Sequence, residues 1–119
     1  MSLLDQIKAE IQDNKVMVYS KSFCPFCMRT KNLLKSKGIE IKVVELDKVK
    51  GGQAIQNELI AMTNQSTVPN IFINGKHIGG NSELQSLNLS GKLDPLLQDE
   101  PEPSQSDETW EQSEPGDSI

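Results

Sequence analysis

Four residues separate Val16-Met17-Val18-Tyr19, the longest apolar run in the chain, from the pair Cys24-Pro25-Phe26-Cys27, and a helical pattern begins on that pair. A short run without polar alternation reads as a strand buried on both faces. Proline directly after Cys24 suits a first helical turn, where the N–H it lacks has no intrahelical partner. Along that helix Met28, Leu33 and Leu34 are expected to face inward, with Gly38 as its stop. The cysteine spacing excludes other uses of two thiols. A disulfide across so short a loop stabilises little through chain entropy. A structural zinc site needs four ligands, and the chain offers these two thiols and a single histidine, His77. No metal site is expected. What remains is a C-x-x-C between strand and helix, the setting of a redox pair in a reducing compartment.

The surrounding pattern supplies that setting. Leu3, Leu4, Ile7 and Ile11 recur at helical spacing, and Ser20-Lys21-Ser22-Phe23 reads as a loop. Ile41, Val43, Val44 and Leu46 predict a second strand, parallel to the first because a helix crosses between them. Gly51-Gly52 precedes a third helix, with Ile55, Leu59 and Met62 on one face. After the polar Asn64-Gln65-Ser66, Thr67-Val68-Pro69 leads into a strand Asn70–Ile73, which Asn74-Gly75 turns back into Lys76-His77-Ile78. Gly79-Gly80 opens a short helix with Leu84 and Leu87, and Leu93, Leu96 and Leu97 suggest a last one. The class is α/β, a four-stranded mixed sheet flanked by helices. Met17, Met28 and Met62 are expected in the core, and His77 is read as a strand residue, not a catalytic base.

Composition divides the chain. Of 119 residues carrying net charge -5, residues 98–119 hold eight of the 17 acids, none of the 12 bases, three prolines, and only Trp110 and Ile119 as apolar residues. Such a segment buries too little apolar surface to offset an ordering cost of about 1–2 kcal/mol per residue, so a disordered acidic tail is expected. The remaining domain, 1–97, has nine acids against those 12 bases, a net of +3. No run approaches the roughly 18 apolar residues of a membrane span. Residues 1–10 have neither a secretory apolar region nor the arginine-rich character of an organelle leader, so a cytoplasmic monomer with no membrane or nucleic-acid partner is expected. The Asn-x-Ser sequences at Asn64 and Asn88 are read as chance matches.

Cys24 is the candidate nucleophile, because the helix it precedes turns unpaired N–H groups and a positive dipole end toward its sulfur, with Lys21 adding charge nearby; Cys27 lies one turn in and is more shielded. Full ionisation of an ordinary thiol gains about 30-fold in thiolate at neutral pH, but the lower basicity costs a comparable factor in intrinsic nucleophilicity. Rate must therefore come from the leaving group and from a pocket that positions one half of the partner disulfide. Pro69 removes a donor and, with a cis Val68–Pro69 bond, leaves the Val68 backbone to pair with an extended ligand. Gly80, Asn81 and Ser82 open a helix whose N–H groups suit a carboxylate.

Cys24-Pro25-Phe26-Cys27 after Lys21, then Thr67-Val68-Pro69, then Asn74-Gly75-Lys76-His77-Ile78-Gly79-Gly80-Asn81-Ser82, resembles a dithiol glutaredoxin of the thioredoxin-like fold over about residues 1–97. The resemblance implies a glutathione groove. Val68 after its cis bond to Pro69 meets the cysteinyl part, Gly80, Asn81 and Ser82 meet the γ-glutamyl carboxylate, and Lys21 and Gln56 meet the glycine carboxylate. Pro25, Phe26 and Thr67 complete the set. It implies catalysis by Cys24, with glutathione as co-substrate, on glutathionylated proteins, and by Cys24 with Cys27 on protein disulfides. An alternative within the family is a carrier of a [2Fe–2S] cluster held between two subunits by Cys24 and glutathione, against which Pro25 argues by stiffening the turn; reduction by a thioredoxin reductase is a third reading. Phe26 stands where the family often has tyrosine, Ser66 and Asn70 where it often has basic residues, and Ser82 where it often has aspartate.

Overall fold

A computed structural model of the chain describes residues 2–98. The tail expected from residue 98 therefore lies outside the described residues, apart from Gln98, which closes the last helix. In order, the elements are α1 (Leu3–Asp13), β1 (Val16–Ser20), α2 (Pro25–Ser36), β2 (Lys42–Glu45), α3 (Gly52–Thr63), β3 (Asn70–Ile73), β4 (Lys76–Gly79), α4 (Asn81–Leu89) and α5 (Leu93–Gln98). The strands form one sheet in the order β2-β1-β3-β4. β1 and β2 run parallel through the α2 crossover, and the other pairs are antiparallel.

The central strand explains why the first apolar run lacks alternation. Its side chains alternate between two cores, one on each face of the sheet. Val16 and Val18 join Leu34, Ile71, Ile73, Leu84, Leu93 and Leu97 under α2, α4 and α5. Met17 and Tyr19 join Ile7, Ile11, Leu46, Leu59 and Phe72 under α1 and α3. Tyr19 and Phe72 meet edge to face at 6.2 Å.

Two local features place the ends of the sheet. A Cβ on Gly52 would stand 1.8 Å from the Leu46 carbonyl oxygen, so only glycine lets α3 start against the end of β2. Asn74 and Gly75 have φ of 52° and 83°, the left-handed pair of a tight hairpin whose twist matches its strands.

Two expectations are corrected. Ser20 belongs to β1 and is fully buried, pairing with Glu45 of β2, instead of opening the following loop. Met28 is 55% exposed. The buried residues of α2 are Cys27, Thr30 and Leu34, with Leu33 packed at the side. Once Cys27 faces inward, spacings of three and four carry the buried face through Thr30 to Leu34, and Met28 lies about 100° round the helix. Met17 is core and Met62 packs against the α1 and α3 side.

Candidate active site

Cys24 is the N-cap of α2, with extended backbone angles. Its Sγ accepts the Cys27 backbone N–H at 3.3 Å, one of the donors that a helix start leaves without an intrahelical partner. On the other side the same sulfur lies 3.8 Å from the Val68 carbonyl oxygen, to which its thiol donates. Both cysteines are free; Cys24 is partly exposed and Cys27 is buried. Burial pushes the Cys27 thiol up, the buried Ser20 hydroxyl pulls it down, and the Cys24 sulfur pushes it up again. One sulfur is thus open to a disulfide while the other is kept protonated behind it.

The loop between them and β1 is fixed from below. The Leu46 N–H donates to the Ser20 carbonyl at 2.7 Å and the Cys24 N–H to the Lys21 carbonyl at 3.1 Å. Asp47 accepts the Ser22 N–H at 2.9 Å with one oxygen and the Ser22 hydroxyl with the other, and these hydrogen bonds hold its carboxyl below the usual range.

A groove of about 410 Å³ opens beside Cys24, lined by Phe26, Gln65, Thr67, Val68, Pro69, Gly80, Asn81, Ser82 and Glu83. The Val68–Pro69 bond is cis. Seven of the expected site residues thus share one cavity, and Val68 joins it to the sulfur. Phe26, 53% exposed, forms one wall, with the Arg29 guanidinium 5.3 Å from its ring centre. Pro25 occupies the first helical position behind it. Lys21 and Gln56 stand outside this lining. Gln56 is buried, and its amide nitrogen donates to the Ser66 carbonyl at 2.9 Å, so it braces the backbone ahead of Thr67.

At the start of α4 the roles divide further. The Gly80 N–H is already taken by Glu83 Oε1 at 2.8 Å. The side chain of Asn81 turns into the protein, where its oxygen accepts from the Thr30 hydroxyl at 3.0 Å and from Gln85 at 3.2 Å. What Asn81 and Ser82 offer the groove is the backbone of a helix start.

Sequence reading passed over Ser20, Thr30, Asp47, Gln65 and Glu83. Glu83 had a signal, standing three residues after the position that opens the helix, the spacing of a capping carboxylate. Ser20 had a weaker one, directly following the apolar run. The others act through contacts that only the tertiary fold creates.

Comparison with known proteins agrees with this geometry. The glutaredoxin family model matches residues 16–78, from the start of β1 into β4. Rice Glutaredoxin-C6 (Oryza sativa subsp. japonica) is 49% identical over 94 residues, covering 79% of this chain and 84% of that protein. The crystal structure of a buckwheat glutaredoxin–glutathione complex superposes with a TM-score of 0.77 at 40% identity, covering 79% of this chain and 86% of that one. A wheat glutaredoxin crystal structure gives 0.77 at 47% identity, covering 79% and 89%. With the cysteine pair at the head of α2, the cis proline facing it and these likenesses in hand, the chain is a member of the glutaredoxin family of thiol–disulfide oxidoreductases.

Proposed function

We propose that the chain is a glutathione-dependent oxidoreductase that reduces protein–glutathione mixed disulfides through Cys24 alone and protein disulfides through Cys24 and Cys27. The observation that carries this reading is the groove lined by Val68, whose carbonyl oxygen stands 3.8 Å from the Cys24 sulfur. An extended cysteinyl residue lying there pairs its backbone with Val68 and brings its sulfur to Cys24. The likeness to a glutaredoxin–glutathione complex supports glutathione as the occupant, and the helix start at Asn81 and Ser82 suits its γ-glutamyl carboxylate. Lys21, on the loop below, is the cation nearest in sequence to the nucleophile and supplies charge for the glycine carboxylate.

In the monothiol route the Cys24 thiolate attacks the glutathione sulfur. The protein thiolate leaves and takes a proton from water, and a Cys24–glutathione disulfide forms. A second glutathione thiolate attacks the glutathione sulfur of that bond, releasing glutathione disulfide and restoring the Cys24 thiolate. In the dithiol route Cys24 forms its mixed disulfide with the protein substrate, and Cys27 gives up its proton and attacks the Cys24 sulfur. The substrate thiol leaves, and an internal disulfide remains for glutathione to reduce. Burial holds Cys27 protonated until that step, so the second route adds the deprotonation of a buried thiol to the steps of the exchange. On this reading the chain works as a monomer in the cytoplasm, whose reducing milieu keeps such a pair as thiols.

A glutathione-coupled assay on the wild type, Cys24→Ser and Cys27→Ser tests the reading. Cys24→Ser is expected to lose all turnover, and Cys27→Ser to retain deglutathionylation while losing protein-disulfide reduction. Equal loss of deglutathionylation in both variants would reject these roles, and activity with a thioredoxin reductase but none with glutathione would reject the co-substrate.

A further inference from the structure

Behind the groove, four polar side chains form one run of hydrogen bonds whose direction is set by its ends. The Thr63 hydroxyl donates to the Leu59 carbonyl at 2.7 Å, which uses its hydrogen. Its oxygen therefore accepts, taking the Gln65 backbone N–H at 3.2 Å and Asn70 Nδ2 at 3.3 Å. At the far end Gln65 Nε2 stands 3.0 Å from the Thr67 carbonyl and 2.9 Å from the Pro69 carbonyl. Two acceptors on that side fix it as the amide nitrogen. The amide oxygens that remain, Asn70 Oδ1 and Gln65 Oε1, converge on His77 Nε2 at 2.8 and 3.2 Å. Neither oxygen donates, so Nε2 carries a hydrogen and, in the neutral ring, the lone pair is on Nδ1. Asn70 is 1% exposed, so a broken link here leaves a polar group in the interior.

We propose that His77 is a positioning residue for the reaction: its Nε2–H orients Gln65, whose amide holds the carbonyls on either side of Val68, and the Val68 backbone is thereby fixed opposite Cys24. The consequence for substrate rests on the reading of Val68 as the seat of the glutathione cysteine. The role is one of orientation, because a proton added to the ring goes to Nδ1 and leaves the Nε2–H in place. Burial lowers the tendency of the ring to take that proton, and Glu83 of α4 opposes this. Its other neighbours, Phe72, Asn70 and Gln65, do not titrate.

The test uses the full chain with His77→Leu and His77→Gln, the second keeping an N–H donor near the place of Nε2. Against a glutathionylated peptide, His77→Leu is expected to raise KM by roughly tenfold, the worth of about one hydrogen bond, with kcat within about twofold. His77→Gln is expected to restore the wild-type KM and to keep the shape of the pH profile. In the same samples, amide hydrogen exchange at Val68 is expected to quicken in His77→Leu only, and the ring ¹⁵N spectrum of the wild type to show the Nε2–H form. A KM raised equally by both variants, a fall in kcat at unchanged KM, unchanged Val68 exchange in His77→Leu, or an Nδ1–H ring would each overturn the proposal. Were the wild type to show no preference for the glutathionylated peptide over another mixed disulfide, the glutathione reading would fail, and exchange with the ring spectrum would still decide the clamp.

Discussion

Between Ser20 and Cys24 the chain is held mainly by main-chain hydrogen bonds and the Asp47 carboxylate, with the Ser20 hydroxyl donating to the Lys21 carbonyl at 3.3 Å. On the facing side, outside the paired strands, the segment Gln65–Pro69 and the start of α4 are held by side chains: Thr63, Gln65, Asn70 and His77 behind the cis proline, and Glu83 on the Gly80 N–H. The two regions face each other across 3.8 Å at Cys24 and Val68. Their construction follows what each must do. A reactive sulfur needs a helix start and an open approach, which backbone alone supplies. A seat for an extended ligand needs two carbonyls and a backbone kept in one place, and amide side chains reach them where no strand partner does.

The sharpest way to break this division is to remove the sulfur while leaving the seat. Cys24→Ser should lower turnover by on the order of a thousandfold or more while glutathione affinity, measured by calorimetry, changes little; a matching loss of affinity would mean that the seat depends on the sulfur. Next in size is a side-chain hydrogen bond that ties α2 to the first turn of α4, the Thr30 hydroxyl on Asn81. Thr30→Val removes a buried donor and is expected to cost about 1–3 kcal/mol in urea unfolding, with KM rising more than kcat falls. If kcat alone falls, Thr30 serves the sulfur.

A smaller effect belongs to Asp47, whose carboxyl the Ser22 hydrogen bonds lower from 3.8. A lowered folded value means that its contribution to stability is present above 3.8 and is lost as pH falls through the lower folded value. Asp47→Asn should therefore melt slightly below the wild type at neutral pH, with the gap closing in acid below that range; a gap constant with pH rules the carboxylate out. Smallest of all, removal of residues 99–119 should leave kcat and KM unchanged at fixed ionic strength, and a change in either would bring the acidic segment into the division.

Element order was open to reading because each signal was local. Cys24-Pro25 marks a helix start, Asn74-Gly75 a tight hairpin, and an unbroken apolar run a strand with a core on each side. Met28 misled because the inward face of α2 contains a polar residue, Thr30, which a hydrophobicity count rejects. The same blindness hid the recognition side. Gln56 enters the sequence reading only through the resemblance, its hold on the Ser66 carbonyl showing only in the fold, and Gln65 reads as loop until its amide meets Thr67 and Pro69. Polar residues state their purpose only through partners, and these partners come from elsewhere in the fold.

The outer strands of the sheet carry a last consequence. β2 and β4 are four residues each, with Lys42 and Glu45 on one and Lys76 on the other. The pairing of β4 shifts register between Ile71 and Phe72, and the strand ends at Gly79 with φ of 119°, a geometry that an added strand does not continue. Short, charged and interrupted borders make poor templates for cross-chain pairing. A thiol–disulfide oxidoreductase built this way can thus present a cysteine to a partner without offering its own sheet as a nucleus for aggregation.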